Sequence, residues 1–170
     1  WVNLAVAVRA CPAPQGGEFA LMPHQTAAQH ASRALELSPG RGDALRELGI
    51  SLVELGDGAR AEALFRRALK EDGEQIARLH LGQVLARSGR TPEAIVEFER
   101  AVLIFPNHAR LRNNLATALF IEDRLEDAVG HYRVAVRLDP GYFNAWFNMG
   151  RALGSLGRTE EARAALERAS

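Results

Sequence analysis

The sequence predicts an all-α solenoid of stacked antiparallel helix pairs. Three observations predict it. First, several residue columns recur at a spacing of 33 or 34 residues: Ala27, Ala61, Ala94, Ala128 and Ala162, then Ala34, Ala68, Ala101, Ala135 and Ala169. Gly49, Gly82, Ala116 and Gly150 keep step, as do Leu52, Leu85, Leu119 and Leu153, and Leu48, Leu81, Leu115 and Met149. A fixed period of this size marks an array of supersecondary units. Second, within each period the apolar positions fall at helical spacing. Third, the composition suits helices: aromatic residues are 6% of the chain, while Ala, Leu, Arg, Gly and Glu are abundant.

The elements follow in order along the chain. Trp1, Leu4, Ala5 and Val8 have the spacing of a first helix. Residues 10–23, with Cys11, Pro12, Pro14, Gly16 and Gly17, read as a Pro/Gly-rich insertion loop. His24 to Leu37 reads as a second helix closed by Pro39, so 1–41 is expected to be an atypical first repeat with an enlarged turn. Four regular units follow at 42–74, 75–108, 109–142 and 143–170. In the first of them Leu48, Gly49 and Leu52 share one helix face, and Ala61, Phe65 and Ala68 share a face of a second helix. Gly56 lies between, where a helix end favours a left-handed residue. The small columns let the paired helices approach, and Leu52 and Phe65 fill the space beside them. Pro39, Pro106 and Pro140 end second helices at one column, and Gly73 replaces the proline in the unit that is one residue short. Thr91 and Thr159 read as N-caps, followed by Pro92 and Glu93 or by Glu160 and Glu161.

Composition excludes several classes. The 170 residues carry 21 basic and 21 acidic side chains, a formal charge of zero, which argues against a dedicated nucleic-acid binder. Apolar residues at 47% and charged ones at 25% describe an ordinary globular balance. No apolar run reaches the roughly 18 residues of a bilayer span. Of the basic residues only Lys70 is lysine, an arginine bias that codon composition accounts for and that also suits bidentate carboxylate contacts. Trp1–Val8 lacks the basic start of a signal peptide, and Arg9 follows directly. A cytoplasmic setting is favoured, with a periplasmic or membrane-tethered parent left open. Trp1 is not an initiator methionine and Ser170 stops inside a second helix, so a longer parent protein is expected.

Catalytic signatures are missing. The chain has no phosphate-binding glycine loop and no nucleophile elbow. His24, His30, His80, His108 and His131 lie in no zinc-binding spacing, and Cys11 has no sequence neighbour to activate it. No enzyme activity, metal or cofactor is expected.

The columns resemble the tetratricopeptide repeat family, whose signature is W-x2-L-G-x2-Y, then A-x3-F-x2-A, then P. The last unit reads Trp146, Met149, Gly150, Leu153, Ala162, Leu166 and Ala169; the one before reads Arg112, Leu115, Ala116, Leu119, Ala128, Tyr132, Ala135 and Pro140. The resemblance implies a right-handed superhelix whose first helices line a concave wall that binds proteins or extended peptides. Asp43, Arg46, Glu47 and Ile50 would then face that wall, followed by Ile76, Leu79, His80 and Gln83, by Arg110, Asn113, Asn114 and Thr117, and by Asn144, Phe147, Asn148 and Arg151. Asn114 and Asn148 share a column, flanked by Asn113 and Asn144 with Arg110 and Arg151 nearby. An amide both donates and accepts, so it can hold a peptide backbone. These two rungs resemble the asparagine ladder in the repeat region of O-GlcNAc transferase. Glu47 and His80 fill the same column earlier.

Binding is thus expected from the amides of Asn114 and Asn148, the charges of Arg110 and Arg151, and apolar contact at Phe147 and Leu79. The alternative is a substrate-recruiting repeat region of a larger enzyme of that transferase type. The carboxylate clamp of chaperone-binding relatives fits poorly, because its columns hold Arg46, Ile50, His80, Arg110 and Asn114, or one unit later Leu79, Gln83, Asn114, Asn144 and Asn148. An exposed end near Ser170 would also allow stacking on a second copy.

Overall fold

The computed structural model describes residues 16–73 and 75–169, and all secondary structure among them is helical. A long α1 (Gly16–Leu37) precedes α2 (Gly42–Glu54), α3 (Gly58–Glu71), α4 (Ala77–Arg87), α5 (Thr91–Ile104), α6 (Ala109–Ile121), α7 (Leu125–Leu138), α8 (Phe143–Ser155) and α9 (Thr159–Arg168). Each helix packs on the next in sequence. The backbones of the first helices α2, α4, α6 and α8 also approach one another in succession, whereas those of the second helices α3, α5, α7 and α9 do not and reach one another only through long side chains, as Arg133 of α7 reaches Glu161 of α9. Closer spacing on one side curves the stack, so the first helices line its concave wall.

The small columns do what their spacing implies. Ala61, Ala68, Ala94, Ala101, Ala128 and Ala135 are fully buried. A Cβ placed on Gly49 would lie 2.6 Å from the Phe65 ring, and one on Gly150 would lie 2.7 Å from Leu166 Cγ. Glycine therefore brings α2, α4 and α8 onto the large side chains of their partners, and Ala116 fills the same column in α6. The continuous core runs from Leu45 to Ala165, with Phe65, Phe98 and Tyr132 as its largest fully buried side chains. No single pair could hide this much apolar surface alone.

Each pair turns in the same way. Gly56, Gly89 and Gly157 have positive φ at the end of α2, α4 and α8, and Asp123 takes the equivalent place after α6 with φ 59°. At each, two backbone bonds close the helix end, as with Asp57 N–H to Leu52 and Gly56 N–H to Val53.

Two expectations are corrected. The insertion loop expected over 10–23 is helical from Gly16 onward, and α1 carries Pro23 in its interior. Glu18, Ala20, Leu21 and Met22 are strong helix formers, and one missing N–H does not offset them together with the helix that follows. The expected helix around Trp1–Val8 and the residues up to Gln15 lie outside the described residues. Thr91 and Thr159 are not N-caps but the first helical residues of α5 and α9, preceded by Arg90 and Arg158 at the cap position. Each arginine instead grips the acid three residues on, Glu93 at 2.6 Å and Glu161 at 2.7 Å. Asp57 does cap α3, accepting the Arg60 backbone N–H at 3.1 Å.

Candidate functional site

The concave wall contains two adjoining depressions. One, of about 220 Å³, is bordered by Ile50, Val53, Glu54, His80, Gln83, Val84, Arg87 and Arg110. The other, of about 430 Å³, is bordered by Gln83, Ala86, Arg87, Phe98, Asn113, Asn114, Thr117, Ala118, Ile121, Tyr142, Asn144 and Asn148. Gln83 and Arg87 belong to both, so the two form one trough across α2, α4, α6 and α8.

Helical phase positions the polar groups. Asn114 and Asn148 sit two residues before the small column of their helices, half-buried on the trough side. Asn148 Nδ2 donates to Asn113 Oδ1 at 3.3 Å, linking α8 to α6. Asn113 is therefore not a free contact: it is 6% exposed and serves as a buried partner that orients Asn148. Leu79, in the same column, is 7% exposed and belongs to the core, which corrects the expectation that it offers apolar contact in the groove. The reason is packing between units, since this column faces the neighbouring first helix. Phe147 in that column is 50% exposed, because no further helix covers it among the described residues.

The other expected residues have definite surroundings. Thr117 Oγ1 donates to the Asn113 carbonyl at 2.9 Å, which leaves it to accept from the Tyr132 hydroxyl, also at 2.9 Å. Arg46 pairs with Glu47 at 2.9 Å. Arg151 lies over the Phe120 ring, 5.3 Å from its centroid, a cation–π contact on the same wall. His80 stacks on Phe65 with centroids 5.5 Å apart. Burial, reinforced by the positive charges of Arg46 and Arg110, holds the His80 pKa below its ordinary value, against the pull of Gln83 and Glu47. The imidazole is neutral at pH 7.

Sequence reading missed Arg87, Ile121 and Tyr142. Arg87 ends α4 about one turn beyond Gln83, the last of the expected wall positions there. Its column holds Glu54, Arg87, Ile121 and Ser155, too mixed to stand out as a repeat. Among the described residues no cluster of three or more His, Cys, Asp and Glu could hold a metal, and no helix is long and apolar enough to cross a membrane.

Comparisons with known proteins agree with this architecture. Tetratricopeptide repeat models match residues 24–75, 46–107, 81–143 and 131–164. The inactive TPR repeat-containing thioredoxin TTL3 of Arabidopsis thaliana is 34% identical over 124 residues, 73% of this chain but 17% of that protein. The TPR repeat-containing thioredoxin TTL4 of the same plant is 36% identical over 92 residues, covering 54% of this chain and 13% of that protein. The chain thus spans a small part of these curated relatives. Among solved structures, MamA from Desulfovibrio magneticus RS-1 superposes with a TM-score of 0.79 at 22% identity, covering 90% of this chain and 88% of that one. YrrB, described as a TPR protein with an unusual peptide-binding site, gives a TM-score of 0.73 at 24% identity, covering 89% and 78%. Period, packing columns, helix order and family models converge: the chain belongs to the tetratricopeptide repeat family, as an all-α helical-repeat scaffold for protein interaction.

Proposed function

We propose that the trough on the concave wall holds an extended segment of a partner protein. The observation that carries this reading is the arrangement of Asn114 and Asn148 in one column along the larger depression, with Asn148 oriented by the Asn113 amide of the neighbouring unit. Amides spaced by one repeat can each pair with the backbone of a peptide laid along the stack. Arg110, Gln83 and Asn144 border the same trough, and Phe147 adds an exposed ring beyond it. The groove residues are thus Arg46, His80, Gln83, Arg110, Asn114, Thr117, Asn144, Phe147, Asn148 and Arg151, with Arg87 added and with Asn113 and Leu79 acting from behind.

A second reading makes the same trough a recruiting surface within a larger protein. It is supported by the small share of its longer relatives that the chain spans, two of them named as repeat-containing thioredoxins.

The test is selection of peptides from a random-peptide phage library on the chain, followed by binding to the Asn114→Ala/Asn148→Ala variant. We expect the selected peptides to lose about tenfold or more in affinity while the melting temperature holds. Undiminished binding to the double variant would place the ligand elsewhere and end the proposal.

A further inference from the structure

Charge is unevenly distributed along the wall helices of this neutral chain. Three of the four wall helices, α4, α6 and α8, contain Arg78, Arg87, Arg110, Arg112 and Arg151 and not one Asp or Glu, whereas the first, α2, contains Arg46 with Asp43, Glu47 and Glu54. The outer helices α3, α5, α7 and α9 each contain at least two carboxylates. The outer arginines largely spend their charge at home. Arg66 pairs with Glu62, Arg67 with Glu71, Arg100 with Glu97, Arg133 with Glu161, and Arg163 with Glu160.

Two wall arginines are also engaged. Arg78 binds Glu97 at 2.8 Å, and Arg112 donates to the Pro106 carbonyl and meets His131. Arg87, Arg110 and Arg151 have no carboxylate within ion-pair distance among the described residues. Arg87 and Arg110 border one depression, and Arg87 continues into the next. Glu54 of α2 stands on that rim and pairs with neither, and the nearby Glu47 is taken by Arg46. Positive charge left over in a concave wall attracts anions more strongly than the same charge on a convex surface, because the cleft focuses its field.

We propose that the trough selects acidic peptides, with Asp or Glu side chains of an extended segment held by Arg87 and Arg110 and, further along, by Arg151. The inference rests on the groove reading above and adds the chemistry of its occupant. Guanidinium groups present a fork that matches a carboxylate. The three arginines lie on three successive wall helices, α4, α6 and α8, so they suit several acidic side chains along a segment better than one terminal carboxylate. The carboxylate-rich outer layer and the zero net charge disfavour a nucleic acid, which needs a continuous basic surface.

The test compares a blocked peptide of Glu-Ala-Ser repeats with its Gln-Ala-Ser counterpart by anisotropy, in about 50 mM salt and again in about 500 mM. We expect the acidic peptide to bind about tenfold more tightly at low salt, with the preference fading at high salt. Arg87→Gln/Arg110→Gln should erase the preference and leave the melting temperature unchanged, both side chains being exposed. Equal binding of the two peptides, or a preference that survives in the double variant, overturns the inference. If equal binding is accompanied by loss in Asn114→Ala/Asn148→Ala, the groove reading stands and only its acidic preference falls. If neither peptide binds, both the acidic preference and backbone capture by the amides fall. Tighter binding of a uridine oligonucleotide, or affinity that needs a free C-terminus, also overturns it.

Discussion

Gly82 and Phe98 meet so closely that a Cβ on the glycine would sit 2.5 Å from the ring edge. This contact sets the separation of α4 and α5 in the middle of the stack. Leucine at position 82 cannot fit without pushing the fully buried ring aside. Gly82→Leu is therefore expected to destabilise the chain by about 3 kcal/mol through overpacking. Urea denaturation measures it, and an unchanged midpoint would contradict the packing.

Asp123 occupies a left-handed position that its three counterparts fill with glycine. An L side chain is disfavoured there, although aspartate tolerates it better than most. Asp123→Gly should raise stability by about 0.5–1 kcal/mol, the relief of strain exceeding the added freedom of the unfolded chain. Gly89→Ala, at the same turn one unit earlier, should lower it by about 1 kcal/mol. Thermal melts of the two variants should move in opposite directions.

Arg78 and Glu97 tie α4 to α5 through a mostly buried pair. Losing the arginine leaves Glu97 with the exposed Arg100 as its remaining ion partner, at 3.1 Å. Arg78→Met should cost about 2 kcal/mol, and Arg78→Met/Glu97→Leu should recover most of it, because a removed pair costs less than a broken one. Equal midpoints for the single and double variants would refute this.

The neutral state of His80 makes stability depend on pH. Its folded pKa is depressed, as is that of His131, held down by burial and by Arg112. The unfolded chain therefore binds more protons as pH falls through the ordinary histidine value near 6.5. Stability should be fully present above that value and decline as pH drops below it, before the carboxylates titrate. His80→Gln should flatten the decline of the melting temperature between about pH 7.5 and 5.5. An identical slope in the variant would show that His80 is not responsible.

Some of this was legible in the residues alone. The 34-residue period, the Gly and Ala columns and the Leu and Phe columns named the helix pairs and their contacting faces. Phase within one helix is a local property, and a position that admits only a small side chain shows itself in one residue. Asn114 and Asn148 were legible for the same reason, being a repeated polar column on a known face.

What only the tertiary structure decided is which wall positions remain open to a ligand. Leu79 and Asn113 share a column with the exposed Phe147, yet both are buried, because the next first helix covers them. Arg87 enters the trough through the approach of α4 to α6, a relation between units that no single helix encodes. The arginine-only character of α4, α6 and α8 was written in the sequence, but its meaning depends on those three helices sharing one wall. Burial and field are sums over neighbours from different units, so they exist only once the units are stacked.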